Sequence, residues 1–175
     1  KIQMQDLNIT SELLKETLHK FTHLSVNDLD IKPVVGMKEP EHYRHIVAFP
    51  ITYFSGKLCV GVYQRETKFL TLMDHCPLQT QKINSLLVKI EDILNANNCR
   101  DYNDKFKKGL RFLIVRQIGE EMQVAFVTGQ DGISQTVTKE IAALDEVTAL
   151  YYTVNTSRYQ DFYEQGFKRI YGQTH

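Results

Sequence analysis

GLRFLIVRQIGEEMQVAFVTG, residues 109–129, is the stretch whose reading decides the fold. Leu110, Phe112 and Ile114 alternate with Arg111, Leu113 and Val115. Gly119-Glu120-Glu121 then supplies a tight turn, and Met122, Val124 and Phe126 alternate with Gln123, Ala125 and Val127. Period-two alternation on both sides of a turn predicts two paired strands. Almost every position is apolar or β-branched, so the pair is expected in the middle of a sheet with much of both faces covered. Arg111 and Arg116 break that pattern. A guanidinium stays charged, so on a central strand it needs a carboxylate, a phosphate or water within reach. Two readings stand open at this point: an ion-paired structural core, or a surface that holds an anion.

On the N-terminal side of this hairpin, Tyr43, His45, Val47, Phe49, Ile51 and Tyr53 alternate, Phe54-Ser55-Gly56-Lys57 turns, and Leu58–Gln64 returns, which predicts a β-hairpin. Pro50 lacks a donor, so one side of that hairpin is expected to be an edge or a bulge. A short strand, Phe69–Met73, leads to Asp74-His75-Cys76-Pro77. The clearest helix follows, Leu78 to Asn97, with Ile83, Leu86, Leu87, Ile90, Ile93 and Leu94 on one face. Further out, a helix is predicted from about Asn8 to His23, capped by Thr10 or Ser11. A short strand around Ile31–Val35 is broken by Pro33, so it is an edge strand or an extended linker. On the C-terminal side come a helix over Thr136–Leu144, a strand over Val147–Val154, an aromatic-rich loop over Asn155–Gln165 and a last strand over Lys168–Gly172. This order predicts an α+β fold, an antiparallel sheet with helices packed mainly on one side. The expected division is an N-terminal helix over residues 1–24 and a body over residues 25–175.

The chain has 175 residues and balanced formal charge, with about a quarter of its residues charged. That suits a folded domain and argues against avid non-specific nucleic-acid binding, DNA included. No apolar run is long enough to span a bilayer, and Lys1 stands where a complete chain has Met, so a soluble, cytoplasmic piece of something larger is expected. The charge is unevenly spread. Between Arg100 and Arg116 lie Arg100, Lys105, Lys107, Lys108, Arg111 and Arg116 against only Asp101 and Asp104. A basic patch beside the central hairpin is the one electrostatic pointer to a polyanion.

Catalytic machinery is not legible. There is no G-x-G-x-x-G after a strand, no P-loop, no G-x-S-x-G and no H-E-x-x-H, so the chain alone is not expected to be an active enzyme. Cys59, Cys76 and Cys99 are widely spaced, which supports neither a disulfide framework nor a self-contained zinc site. His19 and His23 form the one helical pair, without a third ligand, and suit an exposed helix face.

Several motifs in order carry a resemblance. They are Pro40-Glu41-His42-Tyr43-Arg44-His45-Ile46 opening a strand, Gly61-Val62-Tyr63, Asp74-His75-Cys76-Pro77-Leu78 before the long helix, and Leu110-Arg111-Phe112-Leu113-Ile114-Val115-Arg116. Glu121–Val124, Val154-Asn155 and Tyr171-Gly172 complete the series. Together they resemble the central part of the S-adenosylmethionine-dependent RNA (uracil-5-)-methyltransferases, which modify ribosomal and transfer RNA uridines. In that family the first motif reads P-x-x-Y-R-N-K. Here His45 and Ile46 replace an amide and a cation, and Arg44 is kept.

The resemblance implies a central RNA-recognition domain of a 5-methyluridine methyltransferase acting on 23S ribosomal RNA. Its first helix would normally pack on a catalytic domain that carries the nucleophile and the S-adenosylmethionine site and lies outside this sequence. It also implies that Cys76 matches the strand-ending ligand of a 4Fe–4S cluster in family members that hold one. The partner cysteines would precede Lys1, so no cofactor is expected in this piece itself. Arg44, Arg111 and Arg116 are the expected phosphate or base contacts, and Lys107 and Lys108 supply long-range attraction. Asn155 and Arg158, near Tyr159 and Tyr163, are candidates for contact with an unstacked base. The competing reading is a non-catalytic protein-interaction domain whose arginines pair with carboxylates such as Glu121 or Asp145.

Overall fold

The computed structural model describes residues 2–22, 25, 30–36, 42–63, 70–72, 79–157 and 165–172. The chain divides into two compact units, Lys1–Glu41 and His42–His175. In the first unit α1 spans Ile2–Phe21, starting earlier than the expected Asn8. Gln3 to Leu7 contain no glycine or proline to stop a helix, so Thr10 and Ser11 fall inside it rather than at its cap. Thr22 closes it, with both its amide and its hydroxyl donating to the Leu18 carbonyl at 2.9 and 2.6 Å. Ile31–Val35 does not form the predicted strand, in keeping with Pro33 in its middle.

The second unit is a seven-stranded sheet in the order β3-β2-β1-β4-β5-β6-β7. Its strands are β1 Ile46–Phe54, β2 Lys57–Tyr63, β3 Leu70–Leu72, β4 Leu110–Ile118, β5 Glu121–Thr128, β6 Val147–Val154 and β7 Lys168–Gly172. The hairpin over residues 109–129 is therefore central, as its composition demanded. β1 and β2 close through Ser55 and Gly56, at φ 49° and 87°, the two positive φ values that a two-residue hairpin turn of matching twist requires. All neighbours are antiparallel except β5 and β6, which run parallel because α3, Gln135–Ala142, carries the chain back across the sheet.

Both sheet-covering helices, α2 (Gln81–Ala96) and α3, pack into one apolar core. Thr80 and Ser134 cap them, each accepting a hydrogen bond at 3.3 Å from the amide three residues on. Ile83, Leu86, Leu87, Ile90 and Leu94 of α2 meet Val47, Phe49, Ile51, Leu113, Val115, Val124 and Phe126 of the sheet. The same helix also covers backbone that β3 leaves unpaired. Asn95 accepts from the Leu58 amide and donates to its carbonyl, both at 2.8 Å, and Glu91 accepts from the Val60 amide at 3.1 Å.

The central hairpin is covered on much of both faces, as expected: the apolar residues of the helix-side face are buried, and on the other Val127 is buried while Phe112, Ile114 and Ala125 are partly buried. The second face is the less covered because both described helices of this unit gather on one side. One expectation needs correcting. Pro50 is not on an edge strand. It stands where β1 ends its pairing with β4 and begins its pairing with β2, a position that asks for no donor on one side.

Candidate nucleic-acid interface

The register of β4 against β5 slips between Leu110 and Phe112: Leu110 pairs with Thr128 and Phe112 with Val127. Arg111 is the extra residue of this bulge, and a bulge re-aims the side chain it carries. The Arg111 Nη1 donates to the Asn155 carbonyl and Oδ1, both at 3.1 Å, and to the Ser157 carbonyl at 2.8 Å. Its guanidinium also lies 5.1 Å from the centre of the Tyr102 ring, within cation–π range. Each of these partners is neutral. The positive charge of Arg111 is thus held in place without being cancelled.

Arg116, past the bulge, returns to regular alternation and pairs across β4 with Ile46 of β1 and Gln123 of β5. It is exposed and forms no salt bridge or side-chain hydrogen bond among the described residues. Neither strand arginine pairs with Glu121 or Asp145, the carboxylates given as examples in the interaction-domain reading. Arg44 is also exposed, in an isolated bridge to Gln79 two residues before Ile46. Nearby, His42 Nδ1 lies 2.6 Å from the Gln79 carbonyl.

The basic loop sits at the opposite end of β4. Its carboxylates are committed locally. Asp101 accepts from the Tyr53 amide at 3.0 Å, Asp131 from the Gly109 amide at 2.9 Å, and Asp104 pairs with Lys107 at 2.5 Å. Lys107 is therefore partly neutralised, whereas Lys108 is exposed and has no carboxylate partner among the described residues. Arg100 stacks at 4.7 Å over Tyr53, and Lys105 lies 5.6 Å from the ring of the exposed Phe106. Basic and aromatic side chains alternate along this loop, a feature that the charge count alone did not bring out.

Asn155 is turned inward. It is buried, and its Oδ1 accepts from Arg111 and from the Ser157 amide and hydroxyl. Its role within the fold is to hold Arg111. Arg158, Tyr159, Tyr163 and Cys76 lie outside the described residues. Sequence reading missed Gln123, Tyr151 and Phe167, which gather beside Arg116 around a shallow cleft of about 260 Å³. The one available signal was a lone polar Gln123 on a greasy strand opposite Arg116.

Among the described residues the glycines and titratable side chains do not suit a methyl donor or a metal cluster. The strand–loop–helix step after β5 does contain glycines, but the bare Cα of Gly129 packs against the chain itself. A side chain there would come within 2.5 Å of the Lys107 carbonyl and the Lys108 Cα. That glycine serves internal packing, not a phosphate cradle. Among the described residues no cluster of three His, Cys, Asp or Glu side chains could hold a metal ion. Burial, and secondarily Glu140, push the Cys99 thiol above its ordinary range, so it stays protonated rather than acting as a thiolate. No helix among the described residues is long and apolar enough to cross a membrane.

No family model matches the chain. Its sequence is 25% identical over 172 residues to an uncharacterized RNA methyltransferase of Streptococcus agalactiae, covering 97% of this chain and 38% of that protein. Another, from Enterococcus faecalis, is 29% identical over 139 residues, covering 76% of this chain and 30% of the relative. Among solved structures, the Pyrococcus abyssi tRNA (uracil-54, C5)-methyltransferase, in complex with S-adenosyl-L-homocysteine, shares the fold. Its TM-score is 0.69 at 19% identity, over 95% of this chain and 38% of that one. In sequence the chain is similar to these RNA methyltransferases, and it shares the fold of the archaeal enzyme. It spans well under half the length of the curated relatives it matches.

Proposed function

We propose that this chain is the RNA-gripping domain of a 5-methyluridine RNA methyltransferase, with the chemistry performed by a domain outside it. The observation that supports this is the absence of carboxylate partners for Arg111 and Arg116 among the described residues. Extruding a uridine toward a catalytic site costs a few kcal/mol, and phosphate contacts elsewhere on the RNA offset it. Arg44, Arg116 and Lys108 supply such contacts directly. Arg111 and Lys107, tied to neighbouring groups, supply field. Asn155 sets the aim of Arg111, and Arg158 is a further candidate contact on the evidence of the sequence alone.

In the full-length protein, S-adenosylmethionine would be the methyl donor and Cys76 a ligand of an iron–sulfur cluster. Neither takes part in what this chain does. The substrate in this reading is 23S ribosomal RNA, met in the cytoplasm. The archaeal enzyme that shares the fold is a tRNA methyltransferase, which makes tRNA the competing substrate.

A salt titration of binding to a 23S fragment and to tRNA tests both points. Affinity should fall steeply with salt, more shallowly for Arg116→Ala, and should favour the ribosomal fragment. A folded chain that binds neither RNA at low salt would overturn the proposal, and equal or better binding of tRNA would overturn the ribosomal assignment alone.

A further inference from the structure

The cleft beside Arg116 is built by strand register on the face that α2 and α3 leave open. Arg116 stands opposite Gln123, Ile114 opposite Ala125, and Ala125 beside Tyr151 of β6. Ile46 of β1 and Phe167, just ahead of β7, also line it. Its walls are therefore two aromatic rings and aliphatic side chains. Its polar groups are a guanidinium and a side-chain amide, and neither side chain hydrogen-bonds or ion-pairs with a described residue.

We propose that this cleft receives one unstacked base of RNA, with the Gln123 amide on the base's polar edge and Arg116 on the adjoining phosphate. The inference rests on the RNA-gripping role proposed above and adds the place where a base is held. Four features select that occupant. At about 260 Å³ the cleft is smaller than the ~300–1,000 Å³ pockets that enclose drug-sized ligands, so it admits one ring system and not a folded segment. Tyr151 and Phe167 offer aromatic surface, on which any base can rest because each has a π-face. Arg116 has no carboxylate partner among the described residues, so an apolar peptide in the cleft would leave its charge uncompensated, whereas a nucleotide brings ring and anion together. A side-chain amide presents a donor and an acceptor side by side, which matches the paired donor and acceptor on a base edge.

The test compares equilibrium binding of the chain to a short oligouridine and to the same ribose-phosphate backbone with every base removed. The base-free strand is expected to bind about fivefold or more weakly. Phe167→Ala and Gln123→Val should each shrink that ratio toward one while the circular dichroism spectrum is kept. Equal binding of the two strands, still salt-sensitive and still weakened by Arg116→Ala, overturns the base site and leaves the phosphate grip intact. A base preference that survives both substitutions places the base elsewhere and also overturns the proposal. So does a dimer in sedimentation that dissociates on Phe167→Ala, since a second copy would then own the cleft. Loss of all binding by the folded wild-type chain removes the RNA role itself.

Discussion

At one end of β4 the Arg111 guanidinium is tied by three hydrogen bonds to Asn155 and Ser157 and rests against Tyr102. At the other end Arg116 stands exposed beside an apolar cleft, with no partner among the described residues. The two residues occupy one strand, in one repeating pattern, and carry the same chemical group. A single inserted residue separates their fates. Because Arg111 is itself the bulge, its side chain leaves the alternation and reaches the chain segment that follows β6. The lesson is that charge on a strand does not define a binding residue. What matters is whether the fold has already spent the side chain's donors.

The harshest way to break the comparison is to disturb the bulge end itself. Gly109, at φ 102°, precedes β4, and a Cβ there would lie 2.1 Å from the Asp101 carbonyl oxygen. Gly109→Ala is therefore expected to lower the unfolding free energy by about 3 kcal/mol or more. Denaturant titration would show it, and a midpoint like that of the wild type would mean that the loop is looser than described.

Next in size is Arg111→Ala, which removes three charged hydrogen bonds to Asn155 and Ser157, at a cost of roughly 2 kcal/mol. Arg111→Lys should recover little of it, because one ammonium cannot reproduce the planar donor geometry. A thermal melt of Arg111→Lys that matches the wild type would erase the distinction between the two arginines.

Arg116→Ala should do the reverse. Stability is expected to stay within about 0.5 kcal/mol, while the slope of log affinity for RNA against log salt falls by about one phosphate contact. Unchanged slope with lowered stability would make Arg116 the structural one.

The smallest effect belongs to the helix-covered side and serves as a control. Glu146 is ion-paired with Lys89, and that hydrogen bond holds its carboxyl below the usual range. A carboxyl lowered on folding adds stability that is complete above the ordinary glutamate range and is lost as pH falls through its folded value. Glu146→Gln should therefore flatten the acid limb of stability slightly and leave RNA binding unchanged. An altered affinity would show that the helix side also faces the RNA.

Much of this was legible in the chain. Alternation in residues 109–129 placed that hairpin centrally, and the helical spacing of Ile83 through Leu94 marked the core face of α2. The helix starts were less legible, because capping residues occur inside helices as well as at their ends: Thr10 sits within α1, while Thr80 does cap α2. On the site side, the loss of the ion-paired alternative and the inward turn of Asn155 were not readable. Both depend on which residues meet across the sheet.

The sequence by itself determined the central hairpin, the α+β class and the presence of two arginines on a strand that must shelter or expose them. These follow from local periodicity and the fixed charge of a guanidinium, which any solvent-facing or buried setting has to respect. Only the tertiary structure decided which arginine is spent and which is left over. That outcome turns on a one-residue bulge and on Asn155, 44 positions away in the chain, and on the cross-strand register that gathers Gln123, Tyr151 and Phe167 around Arg116. Contacts at such separation arise from packing the whole sheet, and no local pattern encodes them.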